Sequence, residues 1–306
     1  MKTAMRDYAA DIAKLLPGIR VLGAEPMSAH TSLGIGGPAD VFIAPGSLAN
    51  LVDAVNALNR MNVKFMPLGG GSNVLVRDGG IEGAVLDMHG VGNIEPNSDP
   101  AVLKVGAGVR LQELVAYAKR EGLSGIEGLV GIPGLVGGAV VGNAGSFGSE
   151  IMQVVERVDV IYPGGSVESI PRRNISAGYR RGGIPVEAVV LSVGIRLVKS
   201  TAEEVAARTQ ANLDSKKATQ PIGERSAGSV FKNPPGDHAA RLIDAAGCKG
   251  MRVGGAEVST VHAGFIINTG GASAADFLGL MEIVSGRVRQ MSGVTLEPEI
   301  RMVGRP

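Results

Sequence analysis

Three consecutive glycines in Pro67-Leu68-Gly69-Gly70-Gly71-Ser72-Asn73-Val74-Leu75-Val76 restrict what this chain can build. Without Cβ atoms the backbone takes positive φ angles and comes into direct contact with a ligand or another stretch of chain. Successive peptide N–H groups in such a turn form a concavity suited to an anion such as phosphate. The residues after the glycines narrow the choice. Val74-Leu75-Val76 reads as a strand and Asp78-Gly79-Gly80 as a turn. A dinucleotide fingerprint needs G-x-G-x-x-G opening a helix, and a P-loop needs Gly-Lys-Ser/Thr; neither is present. A glycine-rich turn that holds no ligand is the alternative, and this segment alone leaves both readings open.

A second glycine segment runs from Gly125 to Gly145, with six glycines between 125 and 138, five of them three apart. That density argues against an ordinary helix or a central strand. It reads as a loop pressed against something flat and large, the alternative being a glycine-lined packing seam between helices. The chain's 46 glycines are about twice the usual share.

Around these loops the pattern is α+β. A helix is expected over 5–16, a strand at Val41-Phe42-Ile43, and a helix capped by Ser47 with Leu48, Leu51, Val52, Val55 and Leu58 facing the core. Val63–Pro67 delivers the first glycine loop, and Ala84–Met88 is a further strand. Beyond residue 101 come a strand to Val105, a helix over Leu111–Lys119, a hairpin over Val155–Ile161 and Ser166–Ile170, and a long strand over Ala188–Val198. Thr201 and Glu204 give a capping-box start to a helix reaching Lys217. The C-terminal third then reads as a Gly/Ser loop (Gly223–Asn233), a helix (His238–Ala246), a strand (Ala263–Ile267), a helix (Ser273–Met291) and a strand-like end (Val294–Val303). The expected division is a 1–22 N-terminal helix, subdomains at 23–100 and 101–200, and a 201–306 C-terminal domain, as 306 residues exceed one usual core.

Composition excludes several classes. A net charge of +1 provides no basic field for nucleic acid, and 3% aromatics leave little for base stacking. Cys248, the single cysteine, excludes an intramolecular disulfide and a cysteine-built metal site, and reads as a buried hydrophobe. Met1–Gly18 lacks the apolar region of a signal peptide, and Leu129–Val141 is too short and too rich in Gly and Pro to span a bilayer. A cytoplasmic protein with no membrane insertion is the expectation.

The two glycine loops in this order resemble flavoproteins of the vanillyl-alcohol oxidase type, in which FAD lies between two α/β subdomains. HTSLGIGGPAD, LGGGSNVLVRD, GIPGLVGGAVVGNAGSFG, AGYR, RSAGSVFKNP, VSTVHAGFIIN and LEPEIRMVG are together similar to the UDP-N-acetylenolpyruvoylglucosamine reductase family, from about residue 23 to the end. The short link after AGYR resembles the second, shorter class of that family. The resemblance implies an α+β fold: a two-subdomain FAD-binding domain of the vanillyl-alcohol oxidase type (23–200), then a substrate-binding domain (201–306). It also implies reduction of UDP-N-acetylglucosamine enolpyruvate to UDP-N-acetylmuramate for peptidoglycan, with NADPH as co-substrate, noncovalent FAD as hydride relay through its N5, and a monomeric protein.

The family motifs carry roles onto particular residues. Ser229 matches the proton donor, Arg180 the residue that neutralises the developing enolate, and Glu299 the catalytic carboxylate, with Glu297 as rival. The resemblance assigns the FAD diphosphate to Gly69, Gly70, Gly71, Ser72 and Asn73, with Pro133, Gly134, Gly138, Asn143 and Gly145 on its other side. Tyr179, Lys232 and Asn233 are candidates for the substrate nucleotide. His262 reads either as a ligand contact or as a structural histidine. Two positions depart from the family pattern: Leu135 stands where a hydroxyl residue commonly follows Pro-Gly, and Gly182 where Y-R-x-S has serine. The alternatives are a flavin-dependent sugar or alcohol oxidase of the same fold, or a ligand-binding protein that kept the scaffold.

Overall fold

The computed structural model describes residues 8–306. The chain forms two compact units, both α+β. The first holds the chain up to Ala24, Asp40–Gly70 and Gly83–Ser215; the second holds Glu25–Ala39, Gly71–Glu82 and Lys216–Pro306. The units are interleaved along the sequence, where sequence reasoning draws contiguous blocks divided at Ser200. The physical reason lies in two short segments: Leu33, Ile35 and Leu75 are fully or almost fully buried in the core built mainly from the C-terminal third.

The first unit begins with α1 (Tyr8–Leu15), which buries Ile12; the expected start of this helix lies outside the described residues. In α2 (Leu48–Arg60) the Ser47 hydroxyl accepts the Asn50 amide at 3.1 Å, capping the helix as expected. Its core face is Leu51, Ala54, Val55, Ala57 and Leu58, whereas Leu48, in the exposed first turn, stays at the surface. A four-stranded sheet runs in the order Arg20–Pro26, Pro38–Ala44, Ile81–Asp87, Phe65–Leu68, the last two parallel. An antiparallel five-stranded sheet runs Val167–Pro171, Val155–Ile161, Val189–Arg196, Val102–Gly106, Ile94–Pro96. Its central strand, Val189–Arg196, is buried along all but its last residue, which is why it reads as a continuous apolar run. That strand ends at Arg196, and Val198–Lys199 pairs elsewhere, with Leu123–Ser124.

α3 (Leu111–Arg120) buries Leu111, Leu114, Val115 and Ala118. The second glycine segment contains a helix after all, α4 (Val136–Gly142), and corrects the expectation of a loop throughout. The helix lies so close to the adjacent strand end that a Cβ at Gly137 would stand 2.9 Å from the Ala107 Cβ. Packing therefore overrides the poor helix propensity of glycine. α5 (Ala202–Thr219) starts with the Thr201 hydroxyl accepting the Glu204 amide, and its Arg208 reaches Glu127 at 2.9 Å.

In the second unit, Ser226–Ser229, Phe265–Asn268, Ala256–Val258 and Arg252–Val253 form an antiparallel sheet. Packed with it in one core are α6 (Ala239–Ala245) and α7 (Ala274–Ser292), through Leu242, Ile243, Phe277, Leu280 and Val284. Ser273 closes a capping box with Asp276 at the start of α7. Ser229 thus ends a strand, where the sequence reads only a loop. Conversely, only Arg301–Val303 of the expected C-terminal strand is regular, pairing in parallel with Val74–Val76. Cys248 is fully buried, as expected of a small buried hydrophobe.

Candidate functional site

Within the first unit Gly69 and Gly70, at the end of Asp40–Gly70, meet the second glycine segment. A Cβ built on Gly70 would lie 3.0 Å from the Gly134 Cα, and one on Gly69 would touch Leu135 at 3.5 Å. Gly134 takes φ +111 and Gly71 takes φ +58, conformations that favour glycine. Among the described residues, the Gly69, Gly70 and Gly71 amides donate no hydrogen bond to the protein. Three adjacent uncommitted amides are a ready concavity for an anion. On the outer side of α4, a Cβ on Gly138 would meet nothing within 4 Å, so that helix presents bare backbone to open space. A diphosphate joined to a flat ring system fits this pairing of free amides with a side-chain-free surface. Leu135, at the N-cap of α4, contributes no side-chain cap; it is buried and packs over Gly69. The hydroxyl missing there is replaced by apolar packing between the loops.

Arg180 sits at the tip of a tight turn. Gly178 and Arg181 exchange backbone hydrogen bonds of 2.8 and 3.0 Å, leaving Tyr179 and Arg180 as the two tip residues. The Arg180 guanidinium lies 5.2 Å from the Tyr179 ring centre, and Nη1 donates to the Gly145 carbonyl at 3.0 Å. Gly182 explains its own departure from serine: a Cβ there would fall 1.8 Å from the Val140 carbonyl oxygen. Asn143 is buried and faces inward. Its amide donates to Glu150 Oε2 at 2.7 Å and to the Gly178 carbonyl at 2.9 Å, and its Oδ1 accepts the Met152 amide at 3.3 Å. No N–H of this side chain is left for a ligand.

In the second unit the chain brings Ser229, Glu299 and Asn73 to one neighbourhood. The Glu299 amide donates to the Val230 carbonyl at 2.8 Å, Phe231 and Pro298 form a β-bridge, and Asn73 Nδ2 donates to the Glu299 carbonyl at 3.3 Å. Glu297 is engaged otherwise: its Oε1 holds the Lys232 ammonium at 2.5 Å. The Asn233 side-chain carbonyl accepts the Ala239 amide at 3.0 Å, so it caps α6. His262 accepts the Gly264 amide on Nδ1 and stands edge-on to Phe265. Burial holds its pKa below the usual imidazole range, in keeping with a neutral structural histidine.

The same unit carries a feature that sequence reasoning missed, an open depression of about 430 Å³ lined by Ser28, Ala29, Thr31, Ser32, Gly34 and Arg225. No motif singled out Arg225 beyond its place at the head of RSAGSVFKNP. Among the described residues no cluster of acidic, histidine or cysteine side chains could hold a metal, and no helix is long and apolar enough to cross a membrane.

Residues 39–170 match the family described as FAD binding domain, and residues 220–303 match the UDP-N-acetylenolpyruvoylglucosamine reductase C-terminal domain. The chain is 41% identical over 280 residues to UDP-N-acetylenolpyruvoylglucosamine reductase of Geotalea uraniireducens, covering 92% of this chain and 93% of that protein. It is 44% identical over 298 residues to the reductase of Desulfosudis oleivorans, covering 94% and 95%. The crystal structure of the Thermus caldophilus reductase superposes with a TM-score of 0.79 at 35% identity, over 94% of this chain and 99% of that one. A likeness of fold alone, at TM-score 0.50 and 22% identity, links 61% of this chain to 43% of Physcomitrella patens BBE-like 1.

Proposed function

The chain belongs to the UDP-N-acetylenolpyruvoylglucosamine reductase family, and from that membership we propose how its residues divide the reaction. It is an FAD-dependent oxidoreductase of peptidoglycan precursor synthesis that reduces UDP-N-acetylglucosamine enolpyruvate to UDP-N-acetylmuramate, with NADPH as reductant. We place it in the cytoplasm, where its nucleotide substrates are. FAD, when bound, supplies the two-electron relay between NADPH and the enolpyruvyl ether.

The observation that carries the assignment is the meeting of Gly70 with Gly134 beside uncommitted amides at Gly69–Gly71. In this reading those amides, with Ser72 and Asn73, hold the FAD diphosphate, and Gly134 and Gly138 offer the backbone surface opposite. Arg180 faces the substrate carboxylate, where its fixed charge meets the negative charge that develops on reduction. The Ser229 hydroxyl donates the proton to the adjacent carbon. Glu299, the position that matches the family's catalytic carboxylate, orients the acceptor, while Glu297 pairs with Lys232. Lys232 retains two N–H donors beyond that pair, enough to meet a phosphoryl oxygen.

The test is anaerobic absorption spectroscopy of the two half-reactions. NADPH should bleach the flavin, and the enolpyruvyl nucleotide should restore its colour without oxygen. Colour that returns only with air, together with reduction by an alcohol or sugar, would identify the oxidase instead.

A further inference from the structure

We infer that Asn143 is a positioning residue for Arg180, fixing the turn that carries it; this rests on the reading of Arg180 as the group facing the substrate carboxylate. Asn143 is the C-cap of α4, 1% exposed, with left-handed backbone at φ 45 and ψ 58. One of its amide hydrogens goes to Glu150 Oε2 and the other to the Gly178 carbonyl. Gly178 is the base of the two-residue turn, so this bond sets where the tip stands.

The contacts close into a ring. Arg180 Nη1 donates to the Gly145 carbonyl, Gly145 is the strand partner of Glu150, and Glu150 accepts from Asn143. Glu150 is itself fixed, since its side chain closes a capping box with Gln153. On the far side of the tip, the Gly182 amide donates to the Val141 carbonyl at 2.9 Å, seating the exit of the turn flush on α4. Asn143 anchors the entry in the same way, from the end of the same helix. Arg180 adopts φ +54, which a non-glycine residue keeps only where its surroundings impose it.

The plainer explanation is that asparagine is there because it tolerates a left-handed cap. Glycine tolerates that conformation better still, and this separates the two. Asn143→Gly keeps the backbone and removes both donors. Asn143→Asp keeps the shape, places a second carboxylate against Glu150 and cannot donate to Gly178 when ionised.

The experiment uses FAD-loaded enzyme and the two anaerobic half-reactions, with thermal melting alongside. Both variants are expected to slow reoxidation by the enolpyruvyl nucleotide about 10- to 100-fold, the scale of a small misplacement of a positioning group. Reduction by NADPH should lose distinctly less than reoxidation does. Reoxidation of Asn143→Gly at the parent rate would overturn the proposal, and so would parallel losses in both half-reactions. Arg180→Lys is the control for the premise. If it slows reoxidation while Asn143→Gly does not, only the positioning role fails; if it leaves reoxidation untouched, the reading of Arg180 fails.

Discussion

Ser229 is a small residue whose assigned task depends on where its strand ends. Its strand pairs with Phe265–Asn268, and the next carbonyl, at Val230, receives the Glu299 amide. Ser229→Ala removes one oxygen and should leave NADPH reduction of the flavin near the parent rate. Reoxidation by the nucleotide should fall about 10²–10⁴-fold, the range of general acid catalysis; stopped-flow traces with equal loss in both steps would make Ser229 structural. The two glutamates separate in the same assay. Glu299→Gln should slow reoxidation, whereas Glu297→Gln breaks only a largely exposed pair with Lys232, worth about 0–1 kcal/mol. Sequence motifs identify these residue types well. They do not reveal that Lys232 already has a carboxylate, or that Asn233 spends its carbonyl on α6, because those partners meet only in three dimensions.

At the level of elements, α4 is where sequence reasoning and structure part. Glycines three apart read as an obstacle to helix formation, but a helix forms because the adjoining strand end at Ala107 leaves no room for side chains on one face. Two neighbouring substitutions should therefore behave in opposite ways. Gly137→Ala places a methyl 2.9 Å from the Ala107 Cβ and should cost about 1–3 kcal/mol in a denaturant melt. If helix propensity governed instead, the same change would stabilise by about 1 kcal/mol. Gly138→Ala meets nothing in the protein and should leave stability equal or slightly higher, while weakening FAD binding in a fluorescence titration. Just before this segment, Glu127 ties Ser124, Gly125 and Arg208 together. Burial raises its pKa, but the Gly125 amide, the Ser124 hydroxyl and Arg208 outweigh it and hold the group below the usual glutamate range. The unfolded chain then binds the proton more readily, so this stabilisation is complete above the ordinary glutamate pKa of about 4.3 and is lost as pH falls through the lower folded value. Thermal melts of Glu127→Gln should be flatter than the parent's across that acid range; an identical slope would remove Glu127 as the cause.

For the molecule as a whole, most helices and strands were legible from apolar periodicity and from caps such as Ser47 and Thr201. The division of the chain was not. Leu33, Ile35 and Leu75 look like ordinary strand or loop residues, and nothing in their local pattern says that their core is completed by Phe277 and Leu280 far along the sequence. The family match depends on motifs instead and is insensitive to that interleaving, so function and fold class could be read where the path of the chain between the two units could not. One location bears the weight of the functional assignment, the FAD diphosphate between the two glycine segments. A crystal structure of the FAD complex tests it most directly. It should show diphosphate oxygens accepting from amides within Gly69–Gly71, with the Gly134 and Gly138 backbone on the opposite side. A diphosphate bound elsewhere, with those amides left to solvent, would contradict the assignment.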